Sequence, residues 1–417
     1  MNTLPLTDGD ANEQLERILG TAIEMGASDI HIDLDAHEHK LVSRIRFRID
    51  GECRDMVLDP RKSIYEGIVS RLKTLSFCRL DESRIPQDGR IPFVHGGRNV
   101  EFRISFNPVT KKNEQLEKVV LRQMADVNNC NLNALGILPY NLIFFREAID
   151  LPYGFNIVTG PTGSGKTTTL YSVLQEIDRE AKNVCSIEEP IEAEVARVNQ
   201  TQVRHDIGLD FARVLRALLR QDPDVIMVGE MRDLETAETA LDAALTGHVV
   251  WSTLHTNRAV ATISRLIQMG IKDYMAANAL AFIIAQRLIQ RVCPECRIPH
   301  PEAQDIIENK IIPAFSSASE AVKNELADAL GRPQIFLAKR DGICPRCDGI
   351  GYKGRVGVME ILKMNDAMRD IILRDHGNEM RLQEEAIRSG MMTMEQYGYL
   401  KVLAGETTVE AVQTVIL

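Results

Sequence analysis

The arrangement of apolar and polar positions divides the chain into two regions with different repeats. Residues 11–27 place apolar side chains at helical spacing, which predicts an amphipathic helix. Residues 41–49 instead alternate isoleucine or phenylalanine with arginine, the period-two pattern of a half-buried strand. Further strands are predicted at 100–106 and 118–123. This mixture predicts a smaller α+β domain over residues 1–125.

A second pattern follows residues 126–135, an asparagine-rich stretch without periodicity that we interpret as a linker. Beyond it, short apolar strands alternate with helices, beginning with a strand at 154–159 and a helix at 167–177. Such alternation is typical of an α/β fold with a parallel sheet covered by helices. We therefore predict a second domain at 136–417, with a helical tail at 359–417.

The bulk composition is that of an ordinary globular protein. Of the 417 residues, 44% are hydrophobic and 26% are charged, which is enough to build large cores. The net charge of −10 disfavours nucleic acid as the main partner, because DNA-binding proteins usually present a basic footprint. The first ten residues do not resemble a signal peptide, and no apolar run is long enough to span a bilayer. We expect a cytoplasmic protein whose membrane association is peripheral at most.

Residues 160–167 read GPTGSGKT and match G-x-x-x-x-G-K-S/T, the phosphate-binding loop (P-loop, or Walker A motif). The loop follows an apolar strand and opens a helix, the context in which backbone amides cradle phosphate. Lys166 is predicted to reach the β- and γ-phosphates, and the Thr167 hydroxyl to bind Mg²⁺. The motif alone does not choose among GTPases, kinases and ATPases. The predicted nucleotide-binding residues are Gly160, Pro161, Thr162, Gly163, Ser164, Gly165, Lys166, Thr167 and Thr168.

Acidic and histidine residues near other predicted strands are candidates for the remaining chemistry. The strand DVIMVGE ends in Glu230, where an acid can hold Mg²⁺ through water. The segment IEEPIE offers three carboxylates, any of which can orient a water; the residues alone do not choose among Glu188, Glu189 and Glu192. Two histidines that flank another predicted strand are candidates for sensing the γ-phosphate: His248 and His255.

Four of the eight cysteines form two CPxC pairs, while the others are scattered. In a reducing compartment this spacing indicates metal binding rather than disulfides. Four thiolates suit a closed, tetrahedral and therefore structural Zn²⁺ site within a module at 293–347. An unmetallated thiol cluster and a nucleic-acid-binding zinc ribbon are the alternatives. The predicted ligands are Cys293, Cys296, Cys344 and Cys347.

Five motifs follow one another along the chain: GPTGSGKTTTLY, IEEPIE, LRQDPDVIMVGEMRDLETAETAL, TGHVVWSTLHTN and AQRLIQRVCPEC. In type and order this set resembles the motifs of the secretion-superfamily traffic ATPases, the ATPases of type II secretion and type IV pilus assembly. The amino-terminal GASDIHID, FRIDG and IPQDGR also resemble this family. The second domain is accordingly predicted to be a P-loop ATPase core of RecA-like fold.

The resemblance implies roles for individual residues. It makes Glu192 the general base and Glu230 the acid on the Mg²⁺ side, while the two histidines match the family's histidine box. It also implies that two first-domain arginines face nucleotide, where they can stabilise charge on the transferred phosphoryl group. These arginines are Arg90 and Arg103.

The resemblance further implies a homo-hexameric ATP hydrolase that powers type IV pilus assembly or type II secretion from the cytoplasmic side of the inner membrane. Its expected partner is an inner-membrane platform protein, and the tetracysteine module resembles that of secretion and pilus-extension ATPases. Only 25 residues precede GASDIH, so we expect this sequence to lack the family's extra amino-terminal docking domain. The alternatives are a pilus-retraction or conjugative-transfer ATPase, and a nucleotide-gated adaptor with little turnover.

Overall fold

The computed structural model of the chain describes residues 10–37, 40–59, 62–124, 130–340, 344–347 and 349–416. The chain divides into two compact units, Met1–Asp126 (unit 1) and Val127–Leu417 (unit 2).

Unit 1 is an antiparallel sheet of strand order β3-β2-β1-β6-β5-β4 packed against two helices. Buried residues of the strands, among them Ile32 and Phe47, form one core with Leu15 and Ile18 of the first helix. The elements are α1 (Ala11–Glu24), β1 (Ala27–His37), β2 (Lys40–Ile49), β3 (Glu52–Asp59), α2 (Lys62–Leu75), β4 (Gln87–His95), β5 (Arg98–Lys111) and β6 (Glu114–Gln123). The strand residues between the buried ones are largely charged, so the opposite sheet face is polar.

Unit 2 is built on a seven-stranded sheet of order β15-β12-β7-β11-β10-β8-β9. Its first elements are α3 (Pro139–Ile149), β7 (Gly154–Thr159), α4 (Lys166–Glu176), β8 (Val184–Glu188), β9 (Val198–Gln202), α5 (Phe211–Leu218), β10 (Val225–Val228), α6 (Leu234–Leu245), β11 (Val249–Leu254), α7 (Ala259–Gln268), α8 (Asp273–Ala279) and β12 (Leu280–Val292). Its remaining elements are β13 (Ile298–Pro299), α9 (Ala303–Ile306), a π-helical turn (Ile307–Ile311), α10 (Ile312–Ala314), α11 (Glu320–Leu330), β14 (Phe336–Leu337), β15 (Tyr352–Lys363), α12 (Asp366–Asp375), α13 (Glu379–Arg388), α14 (Met394–Leu403) and α15 (Val409–Ile416).

The sheet of unit 2 is parallel from β12 to β9, and only β15 runs antiparallel, along β12. The predicted α/β class with a parallel sheet is therefore confirmed. Successive residues of β7 point to opposite faces: Ile157 packs into one apolar cluster and Val158 into the other. Both faces are thus covered, which explains why these strands are continuous apolar runs.

Two stretches differ from the sequence expectations. The predicted helical tail begins inside a strand, because residues 359–363 belong to β15 and the helices start at Asp366. In the predicted linker, residues 126–129 lie outside the described part of the chain. Within the described residues of this stretch, Leu132–Leu135 form a 3-10 turn capped by Asn131, with Leu132 buried in the core of unit 2.

Among the described residues, no helix is both long enough and apolar enough to cross a bilayer.

Candidate functional site

The candidate site lies at the carboxyl edge of the parallel sheet, where four strands end side by side. β7 leads into the P-loop, β8 into the acidic segment 189–195, β10 into Glu230 and β11 into His255. These strands are parallel neighbours, so their carboxyl ends share one edge. Segments separated by about 100 residues in the chain are thereby brought together, at the position where open α/β sheets bind ligands.

The P-loop has the tight backbone that its glycines predict. Gly160 has φ +150°, and a Cβ there would lie 2.4 Å from the carbonyl oxygen of Gln286. Gly165 has φ +90° and precedes the first residue of α4. Both positions need glycine, the first for close approach and the second for a left-handed cap. The amino terminus of α4 then opens toward the loop, as anion binding requires.

Lys166 folds back onto the P-loop residues that precede it. Its Nζ donates to the carbonyl oxygens of Gly160 at 2.7 Å and Pro161 at 3.2 Å. Burial lowers the pKa of Lys166, and the nearby Glu230 carboxylate opposes that shift. A half-buried ammonium already facing the loop is suited to exchange carbonyl oxygens for phosphate oxygens.

Glu230 lies in a network of charged groups. His255 Nε2 is 3.2 Å from its Oε1, and Arg232 Nε donates to its Oε2 at 3.1 Å. The same Arg232 donates to Glu189 at 2.8 Å, and His205 Nε2 lies 2.9 Å from the other Glu189 oxygen. Contacts between charged and polar side chains therefore link the strand ends after β8, β10 and β11, and the ion pairs among them are those of Arg232 with Glu189 and Glu230.

The three carboxylates of IEEPIE occupy different environments. Glu188 is 4% exposed and accepts hydrogen bonds from Tyr171, Ser186 and Gln200. Glu189 is held by the ion pairs just described. Glu192 is half-buried on the segment that follows. Glu188 is thus part of the framework, and the choice between the other two carboxylates as base stays open on geometry.

His248 lies away from this edge of the sheet, and the two predicted arginines belong to unit 1. His248 precedes β11, at the sheet edge opposite the P-loop, where its Nδ1 is 2.9 Å from the carbonyl oxygen of Ala243. Arg90 and Arg103 are directly opposite each other on β4 and β5 of unit 1, and Arg90 lies 3.6 Å from Glu101. Their roles toward nucleotide stay predictions.

Sequence reasoning missed a residue that braces the P-loop from β12. Gln286 is 3% exposed, donates to the carbonyl oxygen of Ser164 at 2.8 Å and accepts from the Thr169 hydroxyl at 2.8 Å. It lies more than 100 residues from its partners, so no local pattern announces it. Arg232 and Tyr171 were also missed, because they contact the acidic motif IEEPIE from positions 43 and 17 residues away, where no local pattern shows the contact.

The four paired cysteines come together in unit 2. Their sulfurs all lie within 4.8 Å of one another, with Cys293 3.9 Å from Cys344 and Cys296 3.5 Å from Cys347. A tetrahedral zinc with Zn–S bonds of ~2.3 Å separates its sulfurs by about 3.8 Å. The donor set and spacing therefore fit a closed zinc site.

Comparisons with known proteins identify a family and several relatives of the chain. A family model described as "Type II/IV secretion system protein" matches residues 7–414. The type IV pilus assembly ATPase PilB of Myxococcus xanthus (strain DK1622) is 42% identical over 398 residues, which cover 95% of this chain and 66% of PilB. The type II secretion system ATPase E of Vibrio cholerae serotype O1 (strain ATCC 39315 / El Tor Inaba N16961) is 40% identical over 402 residues, which cover 96% of this chain and 74% of that protein.

One solved structure supports the fold. The crystal structure of the pilus retraction motor PilT with bound ADP matches with a TM-score of 0.60 at 27% identity, over 96% of each chain. The chain spans about two thirds to three quarters of the length of the two sequence relatives.

Proposed function

Because the chain belongs to the type II/IV secretion system protein family, we propose that it is an ATP-hydrolysing motor for type IV pilus assembly or type II secretion. The family and the ATPase class predicted from the motifs are confirmed. The observation that carries the proposal is the carboxyl edge of the sheet in unit 2, where Lys166, Glu230 and His255 converge on one P-loop.

The residues at this edge have different roles in hydrolysis. Lys166 and the P-loop amides bind the phosphates, and the half-buried Glu192 takes the proton of the attacking water. His255, already paired with Glu230, responds to the presence of a γ-phosphate. The Thr167 hydroxyl and Glu230 would hold Mg²⁺, and the bound ion would neutralise phosphate charge.

We also propose the assembly in which this chemistry is used. The chain acts as a homo-hexamer, with Arg90 and Arg103 contributing to a nucleotide site and with His248 completing the sensing of nucleotide. The cysteine cluster holds a structural Zn²⁺. The motor acts on an inner-membrane platform protein from the cytoplasmic side.

A steady-state phosphate-release assay tests the catalytic assignment. Lys166→Ala should abolish turnover, because the group that binds the β- and γ-phosphates is lost. Glu192→Gln should still bind ATP but keep only a small residual rate of hydrolysis. Lys272→Ala, at an exposed position of unit 2, is the control and should keep wild-type turnover. Hydrolysis by Lys166→Ala at the wild-type rate would refute the assignment.

A deletion of the gene separates assembly from retraction. Loss of pili or of secretion supports the assembly motor, whereas an excess of pili supports a retraction motor. An adaptor with little turnover is excluded if the wild-type chain hydrolyses ATP in a Lys166-dependent manner.

A further inference from the structure

Tyr171 connects the helix after the P-loop to the acidic segment. It is five residues beyond Lys166 on α4 and is 1% exposed. Its hydroxyl donates to the Glu188 carboxylate. The same oxygen accepts the backbone N–H groups of Glu192 at 3.2 Å and Ala193 at 3.3 Å. One phenol oxygen therefore contacts the main chain of Glu192 itself.

A second side chain holds the same segment from the other side. Gln200 on β9 donates to Glu188 at 3.0 Å and to the carbonyl oxygen of Ala193 at 3.0 Å. Its Oε1 accepts the N–H of Val195 at 2.7 Å. The backbone from Glu192 to Val195 is thus fixed by two side chains that meet at one buried carboxylate.

The buried carboxylate is itself anchored to the sheet. Glu188 is the last residue of β8, and the Ser186 hydroxyl donates to it at 2.6 Å. Burial, with this carboxylate alongside, raises the pKa of Tyr171. The phenol therefore stays protonated, and its proton is directed to Glu188, which leaves the oxygen lone pairs for the two backbone amides.

We infer that Tyr171 is a positioning residue for hydrolysis. Its hydroxyl links the Glu192 backbone to Glu188 by hydrogen bonds, and it thereby sets the distance from the P-loop helix to the general base. The inference rests on the proposed function of Glu192. A phenol that bonded only framework groups would affect stability alone. Here the bonded group is the main chain of the base, and an error of about 1 Å in its placement can cost about 100-fold in rate.

The test compares two tyrosines in the full chain. Tyr171→Phe removes the hydroxyl and its hydrogen bonds and leaves the ring in the core. Tyr397→Phe is the matched control, because Tyr397 is 0% exposed and its hydroxyl accepts one backbone N–H, from Leu138, at 2.9 Å. Tyr171→Phe should lower kcat by about 10- to 100-fold with KM for ATP within about twofold. Tyr397→Phe should leave kcat and KM within about twofold at temperatures where both variants are folded.

A double variant shows whether Tyr171 acts through Glu192. In a Glu192→Gln background, Tyr171→Phe should cause no further loss of single-turnover rate, because residues that act as a unit are not additive. A further loss equal to that in the wild-type background would overturn the inference. If Tyr171→Phe does not fold, Glu188→Gln takes its place, since it removes the charged acceptor at constant volume and should also lower kcat.

The outcomes separate this inference from the proposed function. Full hydrolysis by Lys166→Ala removes the proposed function. Lys166-dependent hydrolysis that persists at the wild-type kcat in Tyr171→Phe removes only the positioning role. The positioning role is also removed if Glu192→Gln hydrolyses ATP normally, or if Tyr397→Phe loses kcat as much as Tyr171→Phe.

Discussion

At the residue scale, environment rather than residue type separates the acidic groups of the site. Glu188, Glu189 and Glu192 are read from one motif, but they lie in a buried hydrogen-bond network, an exposed ion-pair network and a half-buried segment. The sequence motif therefore does not distinguish these acids, whereas the structure separates the framework residue Glu188 from the two candidate bases.

A fourth acid, Glu360 on β15, provides a prediction about pH. It is 3% exposed, and its Oε1 accepts the N–H of Ala259, the first residue of α7, at 2.6 Å. Burial raises the pKa of Glu360 above the ordinary value of 4.5, while that hydrogen bond and the charges of Arg258 and Arg287 oppose the shift. The folded state thus binds the proton more tightly than the unfolded state. This contribution to stability is present below pH 4.5 and is lost as pH rises through the folded-state pKa.

Glu360→Gln should therefore stabilise the fold at neutral and alkaline pH. The amide keeps an oxygen that can accept the Ala259 N–H, but it does not ionise. Thermal unfolding should show a higher Tm than wild type at about pH 8, with the difference shrinking as the pH falls toward about 5. Glu379→Gln, at an exposed helix position, should show no such trend. A variant less stable than wild type at about pH 8 would contradict the prediction.

The places of candidate site residues were predictable where a motif carries them, and their roles stay predictions. Lys166, Thr167 and Glu230 stand at fixed places relative to a glycine loop or a strand end. Tyr171 and Gln286 were not predictable, because their partners come from other strands or from distant segments. His248 is the opposite case. It belongs to a sequence motif, but it precedes β11, and the direction of that strand places it at the sheet edge opposite the P-loop.

At the element scale, the apolar strands of the parallel sheet were predictable because both of their faces are buried. β12 was not recognised as a strand, since a short apolar run does not distinguish a strand from a buried helix. The same ambiguity led residues 359–363 to be predicted as helix. Neither run contains a glycine or proline that would decide the choice.

β12 supplies a prediction about nucleotide binding. Gln286→Leu removes both hydrogen bonds to the P-loop region while keeping the side-chain volume similar. The carbonyl oxygen of Ser164 then loses a buried donor, so the loop should lose its binding geometry at a cost of about 1–3 kcal/mol. We expect a Kd for ATP about 5- to 100-fold higher, measured with a fluorescent ATP analogue.

Gln290→Leu is the matched control, because it makes the same substitution four residues further along the strand, at a half-buried position. It should bind ATP like wild type. Equal affinities for Gln286→Leu and wild type would show that the P-loop does not need this brace.

At the scale of the whole molecule, the cysteine cluster joins two distant stretches of unit 2. Cys293 directly follows β12, and Cys347 lies shortly before β15, so the cluster closes the pairing of these two strands. A bound metal would stabilise the fold, because its binding energy is available only to the assembled site. The two CPxC pairs predicted that the four cysteines come together. Because the pairs are far apart in the chain, they did not predict that β12 pairs with β15.

Cys344→Ser should therefore remove metal and weaken the fold. Elemental analysis of the wild-type chain should find about one zinc per chain, and the variant should contain almost none. Its Tm should fall by roughly 5 °C or more. Cys185→Ser, at a buried thiol outside the cluster, should retain the zinc. Equal zinc content in the wild-type chain and Cys344→Ser would count against a metal at this cluster.

β12 runs from Gln286, which touches the P-loop, to Val292, which adjoins Cys293, and its register with β15 shifts between Gln290 and Val292. The six residue steps from Gln286 to Val292 span about 20 Å. Beyond Ala285 this strand is paired with β15 and no longer with β7, so it extends past the nucleotide edge as a two-stranded arm. The P-loop and the tetracysteine cluster therefore lie at the two ends of one strand segment, and the register shift near Arg291 is the point at which that segment departs from regular pairing.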